Sequence, residues 1–429
     1  MSDMKDTNIQ WLGEIPSNWE LKKIKYVLRE RIEKNNPIRT SFILSLTAKQ
    51  GVIPYDEKEG GGNKPKEDVS AYRLAYPGDI VMNSMNILSG SVGLSKYFGC
   101  VSPVYYMLRP ISEKYDVRYF NFVFQTTLFQ RSLYGLGNGI LIKESGNGKL
   151  NTIRMRIPMD KFGGLYIPIA PQEDQKKIAD FLDEKCKDID ALLTDIQNQI
   201  DMLEKYKCSV ISEVITKGLN KDAEIKDSKI FYIGPINLKW EISKIGYICT
   251  KLSRSFKPKD TALVCSNKGK VLIRDENAVG KMVSEDNAMQ GIHKGDIAIH
   301  GMDTWHGAIA VSEYDGKITR VVHVCDSTED KRFVVYFMQY LAFQGVYKLI
   351  SNGVRGNTSD FRSWDKVKDI YIPVPPSLDE QNEICNFLDN ICVEVESIIY
   401  KKKEQLSVLE DYKKALIYEY VTGKKEVPQ

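Results

Sequence analysis

Two stretches of the chain space their apolar residues in alternating steps of four and three. The first runs Leu182, Cys186, Ile189, Leu193, Ile196, Ile200, Leu203, Lys207, Val210 and Val214, with lysine as the single polar member. The second runs Leu388, Cys392, Val395, Ile399, Lys402, Leu406, Leu409, Lys413, Leu416 and Tyr420. Neither run contains proline or glycine. The spacing predicts two long helices with heptad seams, each packed at a shallow angle on another helix. Some 40 helical residues span ~60 Å, so each helix is expected to project beyond the globule that precedes it. Elsewhere short apolar runs alternate with glycine, proline and asparagine, as in "GDIVMNSMN", "VSPVYYMLRP" and "GGLYIPIAPQ". These predict short strands and turns, with helix at "RYFNFVFQTTLFQRSL" and "RFVVYFMQYLAFQGVYKL".

The two helical runs belong to a larger repetition. "LGEIPSNWELKKIKYV" from Leu12 recurs as "IGPINLKWEISKIGYI" from Ile233, and "YPGDIVMNSMNILSGSVGLS" from Tyr76 as "HKGDIAIHGMDTWHGAIAVS" from His293. "PIAPQEDQKKIADFLDEK" from Pro168 recurs as "PVPPSLDEQNEICNFLDN" from Pro373, and "LEKYKCSVISEVITKG" from Leu203 as "LEDYKKALIYEYVTGK" from Leu409. Four matches in one order make the chain a tandem duplication. Each copy is too long for a solenoid repeat and reads as an α+β globule followed by a helix. The expected division is a globule over 1–170, a helix over 171–218, a second globule over 219–376 and a second helix over 377–429. An antiparallel pairing of the two helices would relate the globules by an approximate twofold axis; homodimerisation through the same seams is the competing arrangement.

Composition, 42% apolar and 27% charged over 429 residues, fits a globular protein of several packed units. The first residues have no signal-peptide pattern and no apolar run is long enough to span a bilayer, so a cytoplasmic protein without a membrane partner is expected. Eight cysteines without a Cys-x-x-Cys pair suggest reduced, mostly buried thiols. The net charge of +3 conceals a division. Residues 1–170 hold 23 Lys and Arg against 16 Asp and Glu, and 219–376 hold 23 against 19, whereas each helical segment has 7 basic and 11 acidic residues. Basic globules point to a polyanion, because Lys and Arg that neutralise phosphates supply most sequence-independent affinity for DNA. Acidic helices point instead to spacing and protein contacts.

Before each helix an Asn-Gly turn is followed by basic residues. "GNGILIKESGNGKLNTIRMR" holds Lys143, Lys149, Arg154 and Arg156, and "SNGVRGNTSDFRS" holds Arg355 and Arg362. Glycine allows close approach of backbone to a phosphate and arginine can read guanine bidentately, so these six are the DNA-binding candidates; a solvated loop with charged tips is the alternative for any one of them. Because the copies differ most here, two readers of two different sequences are expected. Catalytic motifs fail. "SGNGKLN" resembles a phosphate-binding loop, but its first glycine falls at Lys143 and its hydroxyl position at Leu150. No Asn/Asp-Pro-Pro-Tyr/Phe, His-Glu-x-x-His or Gly-x-Ser-x-Gly segment occurs, and no catalytic residue or metal site is assigned. His293, His300, His306 and His323 all lie in the second copy and are read as surface or DNA-contacting. Asp79 and Asp296, matched within Gly-Asp-Ile, are read as caps of a turn before a strand.

"WLGEIPSNWELKKIKYV", "YPGDIV", "IPIAPQEDQKKIADFLDEKCKDIDALL" and "IPVPPSLDEQNEICNFLDN" resemble the DNA-specificity subunit of type I restriction-modification systems, over essentially the whole chain. The resemblance implies two target-recognition domains, each reading half of a bipartite double-stranded DNA site, with paired helices as a ruler. It implies no activity and no cofactor for this chain alone. Two methyltransferase subunits would bring S-adenosylmethionine, and restriction subunits that translocate and cut would bring ATP and Mg. A stand-alone coiled-coil regulator or scaffold that binds DNA without methyltransferase partners is the rival. One departure from the pattern is the segment "SLDEQ", a residue longer than "QEDQ" before the matched Gln175 and Gln381.

Overall fold

The computed structural model describes residues 3–48, 50–58, 65–137, 142–144, 150–152, 156–274, 288–351 and 361–428. The chain forms two compact units. One comprises residues 1–196 together with 404–429, and the other residues 197–403. Each therefore holds one globule, the start of the helix that follows it and the end of the other copy's helix. No helix among the described residues is long and apolar enough to cross a membrane.

In the first unit, β1 (Glu20–Lys23) leads to β2 (Leu28–Glu30), followed by β3 (Ile80–Asn83), β4 (Val92–Leu94), β5 (Tyr105–Pro110) and β6 (Tyr166–Ile169). Strands β2, β5, β3 and β4 form an antiparallel sheet in that order. Its strands read as near-continuous apolar runs, such as Ile80-Val81-Met82, because both faces are covered: Ile80 and Met82 join the aromatic core beneath helix α1 (Val117–Gln125), while Val81 and Met107 pack into a smaller cluster with Leu44 and Leu46. Strand β6 returns to pair antiparallel with β1, from Tyr166 opposite Lys23 to Ile169 opposite Glu20, and delivers the chain into the long helix α2 (Gln172–Lys217).

The second unit repeats this plan. Strands β7 (Glu241–Lys244), β8 (Cys249–Lys251), β9 (Ile297–His300), β10 (Ile309–Val311), β11 (Val322–Ser327) and β12 (Tyr371–Val374) take the same places. The sheet order is β8, β11, β9, β10, all antiparallel, and β12 closes on β7. Helix α3 (Lys331–Phe343) covers the sheet and β12 feeds helix α4 (Leu378–Val421).

Within each unit α2 and α4 run antiparallel. In the first, Phe181 meets Tyr420 with ring centroids 4.6 Å apart, and Lys413 donates to Asp190 at 2.7 Å. In the second, Lys207 pairs with Glu396 at 3.2 Å and the Lys402 ammonium donates to Gln199. The lysines that interrupt the two apolar runs thus lie flat on the seam with charged ends turned to acceptors on the facing helix. Of the seam residues, Leu182, Ile189 and Leu416 are buried and Leu193, Ile196, Leu406 and Leu409 half-buried in the first unit; Ile200, Leu388, Val395 and Ile399 are buried and Leu203 half-buried in the second. Each globular core continues into both helices. Leu182, Leu416, Ile417 and Val421 pack with Trp11, Trp19 and Tyr119, and Val214, Ile215, Ile384 and Leu388 with Trp240 and Phe333. Each long helix ends at a left-handed glycine, Gly218 (φ 83°) or Gly423 (φ 71°), the conformation that releases the chain from a helix. A Cβ at Gly423 would fall 2.4 Å from Pro16, so only glycine fits there.

A buried glutamine fixes the root of each helix. The Gln175 carboxamide accepts from the Asp116 amide at 3.0 Å and donates to the Ala170 carbonyl at 2.7 Å. Gln381 accepts from the Asp330 amide at 2.8 Å and donates to Glu329 at 2.6 Å. Each is the fourth residue of its helix, so the extra residue of "SLDEQ" is absorbed in the link after β12 and helix phase is kept. Asp116 and Asp330 in turn cap α1 and α3, accepting from the amides of Arg118 and Arg332. Those arginines reach the long helices, Arg118 to Asp180 and Asp183, Arg332 to Asp389, Asn382 and Asn386. Gln175→Leu or Gln381→Leu strands a buried amide and should cost about 1–3 kcal/mol for each orphaned group. Urea denaturation checks this against Gln197→Leu on an exposed helical face; equal losses for all three would contradict the assignment.

Candidate nucleic-acid interface

Most of the basic segments after the Asn-Gly turns, residues 145–149, 153–155 and 352–360, lie outside the described residues. In the first globule, Ile142–Glu144 pairs antiparallel with Leu150–Thr152, placing Lys143 opposite Asn151. The side chains of Lys143, Lys149, Arg154 and Arg355 lie outside the described residues. Arg156 and Arg362 are described and both are exposed. Arg156 donates from Nε to the Tyr106 hydroxyl at 3.3 Å, its guanidinium 5.7 Å from that ring. Arg362 lies beside Met302 and bears electrostatically on His300.

Next to each arginine a side chain from the middle of the sheet holds the returning backbone. The Tyr106 hydroxyl donates to the Ile157 carbonyl at 3.0 Å, and the His323 ring bonds the Phe361 carbonyl through Nε2 at 2.8 Å. These are equivalent positions: Tyr106 stands opposite Met82, and His323 opposite Ile299, at the same register of β5–β3 and β11–β9. A carbonyl only accepts, so Nε2 carries the proton. His323 Nδ1 is buried with no partner, and burial pushes the His323 pKa down, helped by Lys251 and opposed by the bond to Phe361. His323 is thus a neutral interior residue, which corrects the expectation of a surface or DNA-contacting histidine. His300 is also shifted down by burial, against the pull of Asp303. His293 and Asp315 meet in the open at 3.2 Å.

Asp79 and Asp296 do close their turns, accepting from the amides of Tyr76 at 3.0 Å and His293 at 2.8 Å. Each also takes a forked pair of bonds from an arginine that pattern reading missed, Arg31 at 2.9 and 3.1 Å and Arg254 at 2.7 and 2.8 Å. The carboxylates are almost fully buried and paired with these guanidinium groups, which gives them a structural role. Matching the two copies residue by residue would not have shown them, because Arg31 directly follows β2 whereas Arg254 comes three residues after β8 and the counterpart of Arg31 is Leu252. Among the described residues no three or more His, Cys, Asp or Glu gather where they could hold a metal. All eight cysteines are free, and burial raises the pKa of those that shift, Cys249 to about 11 and Cys265 to about 12. Among the described residues the arrangement offers backbone anchored beside an exposed arginine.

The chain is similar to known proteins. A family model described as the type I restriction modification DNA specificity domain matches residues 16–202. The chain is 23% identical over 437 residues to a putative type I restriction enzyme MjaX specificity subunit of Methanocaldococcus jannaschii, covering 96% of this chain and 95% of that one. It is 27% identical over 284 residues to the MjaVIII specificity subunit of the same organism, covering 61% and 63%. A chain from a type I restriction-modification system, solved in work on complex assembly and conformational transition, shares the fold with a TM-score of 0.67 at 13% identity, over 96% of this chain and 99% of that one.

The Tyr106–His323 difference gives the copies different responses to acid. Folding lowers the His323 pKa below its ordinary value near 6.5, so the unfolded chain takes up the proton first as pH falls. Stability supplied above about pH 6.5 should be lost on going down through that value, with His300 adding to the loss. His323→Gln, which keeps a donor for Phe361, should flatten the fall. Thermal unfolding between pH 7.5 and 5 checks this; parallel losses for both proteins would rule out the buried neutral ring as its source.

Proposed function

We propose that the chain is a DNA-recognition subunit of the type I restriction-modification specificity family, without catalysis of its own, and that each globule reads one half of a bipartite duplex site. The observation that carries this reading is the duplication itself. One scaffold, with the same strand register, glutamine root and Arg–Asp fork, is built twice, and the least similar segments of the two copies fall at the same place in its sequence order. A shared frame around divergent basic loops is the arrangement expected of two readers with two targets. Arg156 and Arg362, exposed beside the anchored backbone, are the described side chains best placed to touch DNA.

The helices in this reading set the number of base pairs between the half-sites and dock methyltransferase subunits. Their seams face inward, yet Leu192, Met202, Tyr206, Val393, Tyr400, Val408 and Tyr412 are more than half exposed on them, an apolar supply suited to protein partners. Two methyltransferase subunits would supply S-adenosylmethionine, and restriction subunits ATP and Mg, to a complex working in the cytoplasm. Co-purification of a methyltransferase with the chain separates this from a stand-alone regulator, which would reach full affinity by itself.

Seven residues added to both α2 and α4 at facing positions keep the heptad phase and lengthen the pair by ~10 Å, or about three base pairs at ~3.4 Å each. Mapping modified adenines should then show unchanged half-sites and a longer spacer; altered half-sites would refute the ruler. Arg156→Ala should weaken one half-site and Arg362→Ala the other. If either arginine contacts a phosphate, the slope of log affinity against log salt should become shallower by ~0.9; binding curves identical to wild type at low and high salt would remove that residue from the interface.

A further inference from the structure

Strands β2 and β5 place two arginines directly opposite each other, Arg29 and Arg109. Directly opposed residues of an antiparallel pair share a face, and like charges there repel. Neither side chain has an ion-pair partner among the described residues, and Arg109 Nε is buried without an acceptor. An orphaned buried donor is costly, so the arrangement is poorly satisfied as it stands. Next to it lies an open concavity of about 380 Å3, lined by Arg29, Pro110, Ile111, Ser112, Tyr115 and, as its one carboxylate, the exposed Glu113.

The second copy shows that the scaffold does not require this pair. At the same register Thr250 stands opposite Asp326, and Asp326 is neutralised by Lys331 at 2.6 Å. The equivalent of Lys331 is Val117, so the first copy has two cations where the second has a closed ion pair.

We propose that Arg29 and Arg109 form a phosphoryl-binding site of the first globule, occupied by a backbone phosphate of the bound duplex. A guanidinium presents paired N–H donors that match a phosphate's oxygens, and two such groups on one face can share one phosphate. The contact carries no base information and positions the first globule on DNA. The site rests on the DNA-reading function for its occupant, though not for its chemistry. It also makes the two globules unequal: the first has a backbone anchor that the second lacks.

The test uses the full chain, alone and with its methyltransferase subunits. Binding to a duplex of arbitrary sequence is measured across a salt series for wild type, Arg109→Gln and Arg29→Thr, the last carrying the residue of the second copy. The expected result is a log–log salt slope shallower by ~0.9 in either variant, with thermal unfolding midpoints equal to or above wild type because the repulsion is relieved. In a second arm, sodium phosphate at constant ionic strength should raise the wild-type midpoint and leave the variants unmoved. A phosphate shift confined to wild type, with unchanged duplex slopes, would keep the phosphoryl site and overturn DNA as its occupant. If wild type bound no duplex under any condition, the DNA-reading function would fail while the phosphate arm still tested the site. Variants that match wild type in both arms would overturn the proposal.

Discussion

Everything in this protein depends on apolar seams that do not stop at the helices. In each unit the stripe of α2 and that of α4 run on into the core of a globule, where they meet Trp11, Trp19 and Tyr119 or Trp240 and Phe333. A helix anchored only by its own link could swing at its root. Here the root is gripped three ways: by a strand pair that delivers the chain, by a buried glutamine that closes the corner, and by an arginine that reaches from the globule's own helix to acids on the long one. The proposed ruler would need stiffness at that joint as much as along the helix.

Periodicity made the helices and the duplication legible, since both are signals repeated within the sequence. The grouping of the chain was harder to read. Nothing local says that the residues after Glu404 complete the globule that begins at the first residue; that follows from antiparallel packing, which joins positions such as Phe181 and Tyr420 that lie far apart along the chain. Arg31 with Asp79 and Arg254 with Asp296 escaped for the same reason, being 48 and 42 residues apart. Gly-Asp-Ile marks the turn, while the arginine that neutralises its aspartate sits in no motif.

The site was legible in outline only. Basic loops could be seen as the divergent part of a repeated frame, but what anchors them could not, because Tyr106 and His323 do one job with different chemistry. A hydroxyl and an imidazole N–H both satisfy a carbonyl, and residue type alone hides the equivalence. Register reveals it. The same comparison exposes the opposed arginines, a departure that means little in one copy and acquires meaning beside the other.

The grouping of residues also orders events during synthesis. Residues 197–403 are contiguous and leave the ribosome with everything the second unit requires. The first globule, although made earlier, has its apolar face uncovered until the end of α4 arrives some 225 residues later, a wait of roughly 10–45 s at usual translation rates. The half of the protein that is translated first is therefore the half that is finished last.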